Sequence, residues 1–486
     1  MRKMFLRKHE IVYKNSTVNA DAFDKRRFNE LLKMSKGLKE IKSNGDAVFP
    51  LFSQLMGDIW SALYKSKPDL ITDEIPKELL PNYSYMEKVM AEELFKGSRE
   101  LTKLDDLSSA LSTISFSNQV LDWINEEAKN NGEFKNALEK AMESYNQQKN
   151  DEGENTTENK NQQQGSNEHE NNMQQLADQL ESSLTGTNTI GSMLQESIKE
   201  SQQKKENMQK ILSGITSGSS SAEMEKVPLR DKFELAQALE KNPNFKKISD
   251  WAGKFKQLAR SKQKVKHKET VNRSGVTIGN EIERLLPSEM ANMAIPAAKN
   301  DFVRRLSESQ TMVYNKKGKD KLGKGPIILC LDESGSMRNL ESQSKGFALA
   351  IMSIAQKQKR DFALISFSNN ANVTVFPKGK SDVKDIIKFA KSFMSGGTNF
   401  FAPLKNALQL INGSRFKNAD IIFVTDGEAN LTKEFIEEFN KIKVQKKFQC
   451  LSILIGSNVN EETVSKFSDN TVKAKDFTQA DKAFEV

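Results

Sequence analysis

The chain predicts a doubly wound, Rossmann-like α/β domain over residues 326–486, preceded by a mainly α-helical N-terminal region. Three observations support this. Residues 327–331, 362–367, 421–424 and 450–455 are continuous apolar runs of strand length, as expected of strands buried on both faces. Amphipathic helical patterns separate the runs, which implies right-handed crossovers and a mainly parallel sheet. Side chains bearing oxygen collect directly after the runs at 327–331 and 421–424. In a sheet of this kind that is where ligands bind, beyond the carboxyl ends of the strands.

Taken in order, residues 1–147 read as a helical domain. Apolar residues recur at helical spacing over 23–38, 48–64, 85–95, 107–124 and 134–145. Pro68, Pro76 and Pro81 punctuate the connections, and Trp60 and Trp123 are expected in the core. Residues 148–172 are almost all polar. They cannot bury enough apolar surface to offset their ordering entropy and are expected to form a disordered linker. A helical segment is expected over 173–213, weakened in its middle by Gly186 and Gly191, and a Ser/Gly-rich joint over 213–222. Residues 223–315 read as a further helical region, with Pro243 dividing two helices and a Lys/Gly loop following over 314–325. Within it, Lys246, Lys247, Lys254, Lys256, Arg260, Lys262, Lys264, Lys266 and Lys268 form a basic stretch. That stretch is expected to be a solvated helix face and tail. A phosphate-bearing or acidic protein surface is the functional alternative, and no aromatic interleaving points to nucleic acid.

In the last domain the strand at 327–331 is followed by a helix over 339–359, then by strands at 362–367 and 373–376, the latter at an edge. Helices are expected over 383–393, 402–411, 432–444 and 461–467, with strands at 421–424 and 450–455, and residues 472–475 and 478–484 close the pattern.

Composition limits the function classes. The chain has 486 residues, a hydrophobic fraction of 37% and a formal net charge of +8, too modest to argue strongly for nucleic acid or lipid. The first 16 residues are too charged for a secretory signal, and no apolar run approaches the roughly 20 residues of a membrane span. Cys330 and Cys450 both sit in apolar strand patterns, which suggests buried free thiols and a cytoplasmic location.

The candidate chemistry lies in three segments: Asp332-Glu333-Ser334-Gly335-Ser336-Met337, Ser395-Gly396-Gly397-Thr398-Asn399, and Thr425-Asp426-Gly427-Glu428. Asp332, Ser334, Ser336, Thr398 and Asp426 offer only carboxylate and hydroxyl oxygens. Such hard donors suit Mg²⁺, Mn²⁺ or Ca²⁺, and so few carboxylates suit Mg²⁺ best. No histidine or cysteine falls at a ligand position, which argues against zinc. Glu333, Met337, Asn399 and Glu428 are candidates for partner contacts. The Asp-x-Ser-x-Ser, Gly-Gly-Thr and Thr-Asp-Gly elements, in this order and at these strand ends, resemble the metal-ion-dependent adhesion site of von Willebrand factor A (VWA) domains. The resemblance implies that Ser334, Ser336 and Thr398 approach the metal directly, and Asp332 and Asp426 directly or through water. It leaves a sixth position for a carboxylate from a protein partner.

Upstream, a long helical region followed by "IERLLPSEM" and "FVRRLSESQTMVYNKKGK" is similar to the ViaA family of bacterial VWA proteins. That resemblance implies a partner, a MoxR-type AAA+ ATPase, and an adaptor or co-chaperone role in remodelling protein complexes. It also implies peripheral lipid contact at the inner face of the membrane.

Catalysis is not expected. His9, His169 and His267 all lie outside the last domain, so a local Ser–His arrangement is missing, and no Gly-x-Ser-x-Gly elbow occurs. The near-miss phosphate loop "GKDKLGKG" precedes a strand instead of following one. Metal-assisted hydrolysis would need Glu333 or Glu428 as a base. A metal-chelatase-type subunit is the remaining alternative, although no tetrapyrrole pocket is identified in the sequence.

Overall fold

The computed structural model describes residues 12–73, 75–151, 162–185, 188–212, 224–266, 273–316, 325–378, 383–457, 459–480 and 483–484. The chain forms two units. The first comprises residues 1–213, 217–250 and 383–391, and the second residues 214–216, 251–382 and 392–486.

The first unit is helical. Its core gathers Phe28, Phe52, Trp60, Tyr85 and Phe116 from helices Ala22–Met34, Phe52–Tyr64, Leu80–Ala91 and Asp106–Asn130. Helix Ala22–Met34 starts at a capping box in which Asp21 accepts the Asp24 backbone N–H and Asp24 accepts that of Asp21. Within Phe52–Tyr64, Gly57 leaves room for the Tyr13 ring, which a Cβ there would meet at 2.3 Å. Tyr13 thereby reaches Asp58, a fully buried carboxylate held by the hydroxyls of Tyr13 (2.8 Å), Ser16 (2.6 Å) and Thr17 (2.8 Å). Trp60 is buried in the core, and Trp123 packs against Tyr85 and Phe134.

The polar linker expected over 148–172 requires correction. Helix Gly132–Asp151 runs into it and helix Gln162–Leu184 begins inside it; only 152–161 lies outside the described residues. These two helices pack on each other. Their contact buries His169, whose Nδ1 lies 3.0 Å from Ser144 Oγ and whose ring stacks on Tyr145. A partner helix thus supplies the burial that the composition of this segment lacks. The joint predicted at 213–222 lies outside the described residues. Val383–Lys391 lies with the first unit, against Leu229–Lys241.

The second unit departs from expectation at two points. Residues 223–315 are not helical throughout. Strands β1 (Arg273–Gly279) and β2 (Thr311–Lys316) pair antiparallel, and helices Pro287–Ala294 and Pro296–Ser307 lie between them in sequence. Their inner face packs Val313 against Leu285, Phe302 and Leu306. Glu289 ties the module together, accepting both Arg305 guanidinium N–H groups at 2.9 Å and the Met312 backbone N–H at 3.2 Å. The core of the last domain also reaches back beyond residue 326. Phe255, in helix Pro243–Lys266, lies 5.8 Å from Phe347 and 6.2 Å from Phe484. Gly346 permits that approach, since a Cβ there would meet Trp251 Cβ at 2.6 Å.

The main sheet has the order β5-β4-β3-β6-β7-β8, formed by β3 (Ile327–Asp332), β4 (Phe362–Phe367), β5 (Ala371–Phe376), β6 (Asp420–Thr425), β7 (Cys450–Ile455) and β8 (Asn470–Ala474). All neighbours are parallel except the edge strand β5, which runs antiparallel to β4. Ile328, Cys330, Phe367, Phe423 and Phe467 form one core face with Phe400, Leu404 and Phe439. From β3 the chain proceeds to β4 on one side and later returns to β6 on the other. The strand order therefore reverses at β3, and the crevice between the carboxyl ends of β3 and β6 is the expected ligand position.

Candidate metal centre

The three predicted loops converge at that crevice. Leu331 is in register with Val424, so Asp332 and Asp426 leave neighbouring strands side by side. Asp332 is fully buried and already has two internal partners. Its Oδ1 accepts the Ser334 backbone N–H at 2.8 Å, and its Oδ2 accepts the Thr425 hydroxyl. Ser334 Oγ lies 3.1 Å from Ser336 Oγ, and the Ser336 hydroxyl donates to Asp426 Oδ1 at 2.8 Å. The third loop is fixed by backbone bonds, with Gly335 N–H donating to Gly396 O at 2.8 Å and Ser395 N–H to Glu333 O at 2.9 Å. Gly396 has φ +105°, a conformation that favours glycine. The turn brings Thr398 Oγ1 to 3.2 Å from where a Cβ on Gly427 would stand. The three loops that carry the five candidate ligands thus meet at this crevice.

Burial raises Asp332 above the usual carboxylate range, against the lowering effect of the Thr425 and Ser334 donors. Asp426 is likewise raised, chiefly by burial. Two desolvated carboxylates among three hydroxyls, with no cationic side chain among the described residues hydrogen-bonded to either of them, fit a hard divalent cation. Among the described residues no group of three His, Cys, Asp or Glu side chains forms a metal site, so hydroxyls would have to complete this one.

The partner-contact candidates are sorted less simply. Glu428 is exposed. Asn399 caps helix Phe401–Asn412, accepting the Phe401 N–H at 3.0 Å, while its amide donates to Asn369 O at 3.2 Å. Glu333 and Met337 are both 0% exposed, which removes them from any contact surface. Glu333 points beneath the site. Burial raises its pKa to about 6, with Lys345 acting in the opposite direction. It accepts the Ser366 hydroxyl at 3.1 Å and the Met394 N–H at 3.3 Å, and so joins the first loop to the strand next door and to the Gly-Gly-Thr loop. Lys345 is itself buried and bonded to Glu341 and Ser392 O. Sequence reasoning also missed Thr425, which orients Asp332 and accepts the Gly427 N–H at 3.0 Å. Its signal was its place in Thr-Asp-Gly, one residue before a ligand.

Residues 327–428 match the von Willebrand factor type A domain family. An uncharacterized protein of Methanocaldococcus jannaschii is 28% identical over 464 residues, 94% of this chain and 96% of that protein. Regulatory protein ViaA of Proteus mirabilis is 27% identical over 216 residues, 40% of this chain and 44% of that protein. Among solved structures, a von Willebrand factor type A protein from Catenulispora acidiphila is 17% identical with a TM-score of 0.28, over 33% of this chain and 41% of that one. Proximal thread matrix protein 1 of the mussel byssus, solved with a zinc-occupied MIDAS motif, is 18% identical with a TM-score of 0.26, over 33% of this chain and 46% of that one. The chain therefore spans less than half of ViaA and of these solved structures. The domain match and the sheet order together identify residues 327–428 as a von Willebrand factor type A domain, in a chain that is similar to ViaA over part of its length.

Proposed function

We propose that this chain is a non-catalytic adaptor that holds a divalent cation, Mg²⁺ by preference, at Asp332, Ser334, Ser336, Thr398 and Asp426, and uses it to grip a carboxylate of a protein partner. The supporting observation is the meeting of these five side chains, from three loops, around two desolvated carboxylates. The bound cation would supply positive charge at a partly desolvated surface, where a metal–carboxylate bond selects a partner as well as holding it. Asp332, with both oxygens engaged by protein donors, is suited to act through water. The ViaA similarity supports a MoxR-type AAA+ ATPase as the companion, with a protein complex as the remodelled substrate, in the cytoplasm or peripheral to the inner face of the membrane. No helix among the described residues is long and apolar enough to cross a membrane.

The test is titration of the full chain with MgCl₂ and MnCl₂, followed by capture of a MoxR-type ATPase with and without EDTA. Thr398→Ala and Asp426→Ala should each weaken cation binding and partner capture while leaving thermal unfolding unchanged. Partner capture that survives both substitutions and EDTA would refute the role of the site.

A further inference from the structure

The mouth of the candidate metal centre has an apolar side that cation binding does not require. Helix Phe401–Asn412 precedes β6 and helix Lys433–Lys446 follows it, so both begin at the carboxyl edge of the sheet, where the three loops meet. Phe400 and Phe401 stand at the start of the first helix and turn opposite ways. Phe400 is fully buried, edge-on to Phe367 and Phe423. Phe401 is 43% exposed and lies edge-on to Phe435, with the ring centres 4.8 Å apart. It is the one exposed aromatic side chain among the described residues from 325 onward. Phe435 belongs to the sheet core, and the half-buried Ala429 and Leu431, on the loop after Asp426, pack against that core. An isolated exposed apolar side chain is ordinary. This one stands three residues after Thr398, on a base that continues into the loop carrying Asp426.

The charges around the mouth identify the occupant. Arg338 is exposed two residues after Ser336, 6.0 Å from the Phe393 ring. Lys405 is exposed one turn after Phe401, with its Nζ 5.5 Å from that ring. Neither has an acidic partner among the described residues. Glu428 is the one exposed acid of the three loops. A bound divalent cation together with Arg338 and Lys405 therefore leaves the mouth positive, which favours an acidic partner. Spacing sets where its apolar group falls. Three peptide steps from Thr398 to Phe401 span at most about 11 Å between Cα atoms. An extended peptide rises about 3.3 Å per residue and turns every second side chain to the same face. A carboxylate on the cation thus carries the side chain two residues away over Phe401.

We propose that the site takes an extended acidic peptide whose metal-binding carboxylate stands two residues from a large apolar side chain, and that Phe401 is the specificity-determining residue that receives this side chain. The selectivity presupposes the cation of the adaptor reading and adds to it the sequence that a partner presents.

Fluorescein-labelled peptides test it, containing Asp-Gly-Phe or Phe-Gly-Asp in a Gly/Ser background, each with a control in which alanine replaces the phenylalanine. They are titrated by anisotropy with the full chain in MgCl₂ and in EDTA. In at least one of the two orders, the wild-type chain in MgCl₂ should hold the phenylalanine peptide about tenfold more tightly than its control, as partial covering of one phenyl ring implies. Phe401→Ala should erase that preference and Phe401→Leu should keep most of it. Neither substitution should alter Mg²⁺ affinity, since Phe401 offers the metal no ligand atom. A wild-type chain that binds Mg²⁺ yet holds phenylalanine and control peptides equally, or holds none of them, overturns the selectivity while the cation site stands. So does a preference that survives Phe401→Ala. A chain that binds no Mg²⁺, or that holds the peptides as tightly in EDTA, overturns the adaptor reading and the selectivity with it.

Discussion

Among single residues, Thr425 and Glu333 show how much of the candidate metal centre is held from outside it. Thr425 Oγ1 fixes one oxygen of Asp332 and is fixed in turn by the Gly427 N–H, so the carboxylate at the end of β3 is oriented by the strand beside it. Partners of this kind, one layer behind the ligands, change metal affinity by about 10–100-fold when removed. Thr425→Val, which keeps the shape and loses the hydroxyl, should therefore weaken Mg²⁺ binding by about that factor, with unfolding nearly unchanged, as read by calorimetric titration. Unaltered affinity would show that Asp332 holds its orientation without help. The convergence of the five candidate ligands was legible in the sequence because each lies within five residues of a strand's carboxyl end or in a Gly-Gly turn, and such positions follow from local pattern. Glu333 was not legible. Adjacency to Asp332 suggested an exposed loop acid, but its direction is set by Ser366 and Met394, 33 and 61 residues away. No local signal carries that information.

At the scale of elements, the misread segments share a cause. Strand β1 is short and contains two glycines beside a run of basic residues, and β2 follows directly on a helical pattern. Neither has an alternation long enough to outweigh its neighbours, and pairing with each other over Leu285 and Phe302 decides their state. The polar helix Gln162–Leu184 is likewise decided by its partner helix. Helix Phe52–Tyr64 carries a different burden, the buried Asp58. Burial lifts this carboxyl to about 6, although the hydroxyls of Ser16, Thr17 and Tyr13 favour its charged form. The folded state thus binds this proton more tightly than the unfolded chain, whose carboxyl titrates near 3.8. The sign follows from linkage. Asp58 disfavours folding above pH 6, and that cost is relieved as pH falls from about 6 towards 4. A proton held that much more tightly is worth about 3 kcal/mol. Asp58→Asn should remove this component. Thermal unfolding of both proteins at pH 7 and pH 5 should show the wild type gaining relative to the variant on acidification, and parallel responses would sink the assignment.

Across the whole molecule, the domain boundary drawn from composition was too late. The apolar run at residue 327 marks where the sheet begins, but the second unit begins by Trp251, because from there helix Pro243–Lys266 packs against helix Glu341–Lys357 and the C-terminal Phe477 and Phe484. Phe255 is fully buried there among Phe347, Phe477 and Phe484, which lie up to 229 residues away along the chain (484 − 255). Sequence reading missed this because a helix lying on a distant sheet has the same periodicity as one lying on its neighbour. The consequence is measurable. Removing a buried phenylalanine side chain costs about 3–5 kcal/mol when the site cannot collapse, and two crossing helices pinned at Gly346 leave little room to do so. Phe255→Ala should therefore destabilise the second unit by about that amount, although the substitution lies well upstream of the first strand of its sheet. Urea unfolding can be followed by a fluorophore attached within the second unit and by another within the first. The transition of the second unit should move to lower denaturant while the Asp58-dependent transition of the first keeps its midpoint. If the second unit unfolds as in the wild type, the helix is an accessory to the sheet and the boundary belongs near residue 326 after all.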